Sequence, residues 1–317
     1  TVLIAVGTYI ENINYNGKSI IVGSFFMRTN DTSYVSSTII DGDQSSRTVL
    51  MENVAGSLIG MKIINGSGVD GGGIRISNVY NGQPYLSNLI IENNYAISGA
   101  AISLMSCDPL IENIAVFNNE GSSGIISLSS SDAIIKSSAI YNNQGSAIYA
   151  SDSNPLIENA LIVNNSAYYG GAIYCYNGSQ MVLKHATTAL NSASNEGGGQ
   201  GIYVWGDGTI LDVYKSILWD DASNEINIGT GGSFNATYSN INGGFEGTGN
   251  ISLDPNFVDA NSGDYRLSDF SPCIGAGGLD DLSITDIQGS LRPNPSGSNP
   301  DMGAFENSFG IPQYQPQ

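Results

Sequence analysis

Residues 145–165 read GSAIYASDSNPLIENALIVNN, and this stretch decides the fold. Residues 124–143, just before it, read GIISLSSSDAIIKSSAIYNN. Residues 99–119 read GAAISLMSCDPLIENIAVFNN, and a further copy opens GGAIYCYNGSQ at Gly170. Each copy has a small or Gly opening, a short alternating strand, a polar turn, a second apolar stretch and an Asn pair. The pairs fall at Asn93-Asn94, Asn118-Asn119, Asn142-Asn143 and Asn164-Asn165, a period of 25, 24 and then 22 residues. A slightly variable period of this size marks a repeat architecture.

The repeats are built from strands. They are rich in Ile, Val, Leu, Ser and Tyr, and none carries a 3.6-residue apolar pattern. After the opening residue, Ile74, Ile102, Ile126, Ile148, Ile173 and Ile202 form one column. Two residues on, Ile76, Leu104, Leu128, Ala150, Cys175 and Val204 form a second. Period-2 alternation puts both columns on one side of the strand. Parallel stacking then makes a continuous dry core that no single rung could build. Asn at the corners tolerates left-handed backbone and bonds nearby backbone groups, and aligned Asn side chains can bond along the stack. The expected fold is all-β: a right-handed parallel β-helix, its hand following from the bias of parallel crossovers.

Composition agrees. Forty glycines and few charges suit many tight corners. A net charge of −19 argues against nucleic acid and anionic membrane surfaces as partners. No apolar run is long enough to form a transmembrane segment. Cys107 and Cys175 lie about three rungs apart, too far to bridge, and all three cysteines, Cys273 included, read as unpaired.

Taken in order, residues 1–270 read as the β-helix, with irregular rungs at 1–71, a regular array at 72–220 and terminal rungs at 221–270. The chain opens mid-strand with TVLIAVGTY, so a missing N-terminal cap is expected, since a bare first rung exposes strand edges. From Ser271 the apolar periodicity stops and Pro, Gly and Asp cluster. Residues 271–306 are expected to form a loop-rich cap over the C-terminal end of the core, and 307–317 a linker.

Two stretches carry a family resemblance. One is TVLIAVGTYIENINYNGKSI at the start; the other is DPNFVDANSGDYRLSDFSPCIGAG followed by DIQGSLRP and DMGAFE. With the rungs between them, the chain resembles bacterial secreted right-handed parallel β-helix repeat proteins with a polymorphic-outer-membrane-protein-like C-terminus. The resemblance implies export, a secreted or cell-surface location, and a C-terminal anchoring or sorting module beyond the β-helix. It does not fix an activity, because lyases, hydrolases, tailspikes and adhesins share the fold.

The site must therefore come from outward residues. Between the core columns one outward column runs Arg75, Ser103, Ser127, Tyr149, Tyr174, Tyr203; the next runs Ser77, Met105, Ser129, Ser151, Tyr176, Trp205. Tyr149, Tyr174, Tyr176, Tyr203 and Trp205 thus share one face over three rungs. Rungs lie roughly 4.8 Å apart, close to the length of a sugar residue, so the strip suits stacking on pyranose faces. The plainer expectation is that the rings pack on one another. Glu112, Lys136 and Glu158 share a column, expected to continue through Lys184 and Asp212, and their alternating signs read as a structural ladder.

The catalytic candidates are Asp220, Asp221, Arg75 and His185, and no complete set is visible among them. His185, the lone histidine, sits near a corner without the Gly-His-Gly context of polygalacturonases. Asp220-Asp221 supplies at most part of the carboxyl pair that inverting hydrolysis needs. In the terminal module Asp280, Asp281 and Asp286 are the candidates for Ca2+, the one cofactor the oxygen-rich loops invite. Pairing of Arg292 with Asp286 or Asp301 is the alternative. The leading expectation is a non-catalytic surface protein, an adhesin or stalk, whose partner is a glycan or cell-surface polysaccharide. The alternative is a carbohydrate-active enzyme, a polysaccharide lyase or glycoside hydrolase. Ten Lys and Arg residues over the whole chain are few for handling acidic polysaccharide.

Overall fold

The computed structural model describes residues 1–195, 197–220, 224–279 and 284–313. It is an all-β parallel solenoid. One sheet of nine strands stacks Ile74–Ser77, Ile102–Met105, Ile126–Ser129, Ile148–Ser151, Ile173–Tyr176 and Ile202–Trp205 in parallel, with strands beyond both ends. Their register aligns Ile74, Ile102, Ile126, Ile148, Ile173 and Ile202 one above another, and all six are fully buried. The second inward column aligns as expected as well.

A larger parallel sheet of sixteen strands supplies the other walls. Its strands are bent. Ile134–Tyr141 and Leu156–Val163 each turn a corner at one left-handed residue, Ser137 (φ 47°) and Asn159 (φ 52°). Asn88, Asn113, His185, Lys215 and Tyr238 hold the same conformation at the equivalent corners of other rungs. A single left-handed residue re-aims the strand without breaking the stack. A short third face closes the section, with Tyr95–Ser98 parallel to both Ser67–Asp70 and Glu120–Gly121.

The Asn pairs divide their work. Asn93, Asn118, Asn142 and Asn164 take φ of 56, 54, 55 and 55°, with their side chains in solvent. The second member of each pair points inward. Asn94, Asn119, Asn143 and Asn165 each donate from Nδ2 to the next amide Oδ1, at 3.0, 3.1, 2.8 and 2.9 Å, the last reaching Asn191. Each Oδ1 from Asn119 to Asn191 also accepts the backbone N–H of the preceding rung. Asn191 in turn donates to Asp220 Oδ1 at 2.8 Å. A second ladder, of hydroxyls, runs at another corner: Cys107 N donates to Ser131 Oγ, Ser131 N to Ser153 Oγ and Ser153 N to Ser179 Oγ. The two ladders satisfy the buried corner amides of these rungs.

The C-terminal end of the core is closed by residues 242–251. Phe245 packs on the core and meets Phe234 edge-on at 4.8 Å, and Ile251 pairs with the last rung. The described part of 271–306 does not lie over that end, as the sequence led us to expect; it runs along the flank. Ala304 N bonds Thr187 Oγ1, Gly303 N bonds the Lys215 carbonyl, and Asn159 Nδ2 bonds the Thr285 carbonyl. The reason is that Ile217 and its neighbours leave an apolar outer patch on the flank, which Cys273, Ile274 and Met302 cover. Near the start, the irregular rungs carry two helical turns, Phe26–Thr29 and Ser33–Ser37. No helix among the described residues is long and apolar enough to cross a membrane. All three cysteines are free and buried, and burial pushes their thiols up, to about 11 for Cys107 and about 12 for Cys175 and Cys273.

Candidate functional site

The nine-stranded sheet brings the five outward aromatics together. Tyr149, Tyr174 and Tyr203 are neighbours in register, and Tyr176 lies beside Trp205. Tyr176 and Trp205 stack at 5.1 Å with planes 13° apart; Tyr149 meets Tyr174 edge-on at 5.2 Å. Two further rings join from the turn before Gly170. Tyr169 stacks on Tyr203 at 5.0 Å and 12°, and Tyr168 stands edge-on to Tyr169 at 4.6 Å. These two were missed because only strand columns were counted. The signal was present as the dipeptide before Gly170-Gly171, a turn that lays Tyr169 on the sheet rings and sets Tyr168 against Tyr169. Gly170 is left-handed (φ 45°), and a Cβ there would come within 2.9 Å of the Tyr203 backbone nitrogen.

The cluster is half-buried, with its rim open: Trp205 is 38 % and Tyr168 58 % exposed. Gly229 lets the chain lie against Trp205, where a Cβ would sit 2.5 Å from the indole. Burial raises the phenols of Tyr149, Tyr174 and Tyr203, whose hydroxyls are able to donate as well as accept. The surface combines apolar ring faces with hydroxyls. Part of each stacked ring is spent on its neighbour.

The charged column lines a cleft of about 540 Å3 between the bent sheet and the C-terminal segment, walled by Lys136, Glu158, Lys184, Tyr214 and Thr285 among others. Glu158 pairs with Lys136 at 3.2 Å and Lys184 at 3.6 Å. Glu112 instead accepts from the Tyr85 hydroxyl. The continuation to Asp212 is corrected: Lys184 aligns with Tyr214, and Asp212 lies beside Val182 and bonds Asn235 at 2.8 Å. Trp205 aligns with Tyr176 and Ile210 with Gln180, so the turn at 206–208 adds one residue to that rung.

The described catalytic candidates do not converge. Arg75 stands at the far end of its column, separated from Tyr149 by Ser103 and Ser127, with its guanidinium 3.5 Å from Met105 Sδ. Asp220 ends the Asn ladder. Oδ1 accepts from Asn191 N and Nδ2, Oδ2 accepts from Thr188 at 2.9 Å, and its own N–H donates to Glu225 at 2.6 Å. Burial raises its carboxyl against these bonds. His185 is a wholly buried corner residue whose Nδ1 faces Arg292 Nη1. Burial, then the nearby cations, hold its imidazole well below the ordinary range, so it is neutral and accepts from Arg292. It ties down the C-terminal segment, sealed from solvent, and is not placed to act on a substrate. Asp221 lies outside the described residues.

The terminal acids are structural where they are described. Asp286 Oδ1 accepts Gln288 N and Ser290 N, and Oδ2 accepts Glu306 N. Asp301 accepts Gly275 N and Asn307 N. Arg292 pairs with Glu306 at 3.2 Å with both side chains buried, so its ion-pair partner is neither of the two aspartates expected. Asp286 is thus engaged by backbone N–H donors, which a cation would repel. Asp280 and Asp281 lie outside the described residues. Among the described residues no group of three or more His, Cys, Asp and Glu side chains is arranged to hold a metal.

Comparison with known proteins matches the architecture. The family model described as "Right handed beta helix region" matches residues 25–218. The chain belongs to that right-handed β-helix family. No curated protein matches this β-helix protein. Among solved structures it is similar to the crystal structure of pectate lyase Pel9A, with a TM-score of 0.58 and 14 % identity over 96 % of this chain and 87 % of that one. At that identity the likeness concerns the β-helix fold alone.

Proposed function

We propose that this protein is a non-catalytic extracellular or cell-surface β-helix that binds a neutral or weakly charged glycan on its aromatic face. The observation that carries the reading is the meeting of seven aromatic side chains on three rungs, rimmed by exposed Tyr168 and Trp205. Ring stacking supplies affinity without opposite charge, which suits a protein of net charge −19. The scattered placement of Arg75, Asp220 and His185 supports a role without catalysis.

The second reading is a carbohydrate-active enzyme. It is favoured by the cleft beside Lys136, Glu158 and Lys184, and by the fold shared with a pectate lyase. A glycan array and affinity electrophoresis distinguish the two, comparing wild type with Tyr174→Ala/Trp205→Ala. The first reading expects salt-insensitive retention on neutral glycans that the double variant loses. Equal retention of both proteins on every glycan removes it. Retention on uronate polymers alone, lost with salt or chelator, moves the assignment to a Ca2+-dependent lyase.

A further inference from the structure

The third face carries a feature that the aromatic sheet does not explain. Its outward column runs Ser67, Tyr95, Glu120, Gln144, Ser166, one per rung. Two adjoining depressions, of about 310 and 320 Å3, lie along it and share Tyr95 and Glu120. The first takes in Asn93 and Asn118, the solvent-facing members of their pairs; the second ends at Tyr168.

Three observations point to a ligand chemistry. First, two open aromatic rings line the groove, Tyr95 at 48 % exposure where the depressions meet and Tyr168 at 58 % at the far end of the second. Neither is explained as core. Secondly, among the described residues no hydrogen bond engages the side chains of Asn118, Glu120 or Gln144, whereas the inward amides of the ladder are used on every side. Thirdly, Glu120 is the one charged residue lining either depression. A groove with one carboxylate, no cation, several amides and two open rings suits a neutral polyhydroxylated chain and disfavours a polyanion.

The groove also leads somewhere. Tyr168 stands edge-on to Tyr169, which stacks on Tyr203 of the aromatic face. From Tyr95 to Ser166 there are three rung steps, roughly 14 Å, about the reach of three sugar residues. We propose that the third face is an extended subsite for a neutral glycan chain lying along the solenoid axis. Rings stack on Tyr95 and Tyr168, hydroxyls bond Asn118, Glu120 and Gln144 between them, and the chain continues around the corner onto the aromatic face. This rests on the neutral-glycan reading and adds that the protein selects for chain length.

The test uses the full chain and β-1,4-linked gluco-, manno- and xylo-oligosaccharides from dimer to octamer, with affinity measured by calorimetry. Tyr95→Ala/Gln144→Ala alters only exposed side chains, so its melting temperature is expected to match wild type. For the best-bound series it is expected to lower octamer affinity about tenfold and leave the dimer unchanged. Octamer affinity equal to wild type in this variant, but lost in Tyr174→Ala/Trp205→Ala, overturns the groove and leaves the aromatic face standing. Failure of wild type to bind any of the three series overturns both.

Discussion

Two adjacent asparagines differ entirely in what they hold. Asn142 spends its side chain in solvent and is needed for its left-handed backbone; Asn143 is buried with every polar atom engaged. Asn143 Nδ2 donates to Val116 O, Tyr141 O and Asn165 Oδ1, and its Oδ1 accepts from Asn119 N and Nδ2. Asn143→Leu strands several buried partners, each costing about 1–3 kcal/mol, so a loss of at least about 3 kcal/mol is expected in urea unfolding. Asn142→Gly keeps the conformation and should cost little, while Asn142→Ala should cost about 1–2 kcal/mol for the left-handed φ. Comparable losses at 142 and 143 would contradict the division of labour. The corner pairing was legible in the sequence because Asn is favoured in left-handed backbone. Which member turns inward was not, since that depends on the angle at which the chain leaves the strand.

At the scale of elements, the rungs were legible and the C-terminal segment was not. A rung repeats, so period-2 alternation names its core residues. The segment from Ser271 meets the solenoid through contacts far apart in the chain, such as Arg292 with His185 and Thr285 with Asn159, and no period marks them. Likewise the one residue that the 206–208 turn adds, which helps to carry Asp212 out of the charge column, shows only in the register. The segment's buried acids make its attachment pH-dependent. Burial and Glu306 raise the Asp301 carboxyl to about 7, and burial raises Glu306 despite Arg292. A carboxyl raised on folding contributes stability that is full below its unfolded value of about 4 and lost as pH rises through the folded value. His185, held neutral by burial, pulls the other way below about pH 6.5, so the carboxyl contribution is read as the difference between wild type and Asp301→Asn. The advantage of wild type over Asp301→Asn in melting temperature should shrink from pH 5 to pH 8, and a difference that stays constant or grows over the interval sinks this account.

Over the whole molecule, each rung is stabilised by the rung on either side, so where a lesion sits matters as much as its size. Ile148 lies mid-stack between Ile126 and Ile173 and is fully buried. Phe245 packs on the last rung through Phe234 and closes the end of the core. Ile148→Ala should cost about 2–5 kcal/mol, because the cavity cannot collapse between two fixed strands. Every rung depends on the continuity of that column, so amide exchange should quicken across the array from Ile74 to Trp205. Phe245→Ala removes a partly buried aromatic from the end. Its effect should stay local: faster exchange in Gly232–Thr237 and Asn240–Ile241, with protection kept at Ile126 and Ile148. Ser129→Ala, at an exposed position of a central strand, is the control for both. If Phe245→Ala instead loosens the central rungs as strongly as Ile148→Ala does, the solenoid unfolds as one cooperative unit, and nearest-neighbour stacking does not describe it.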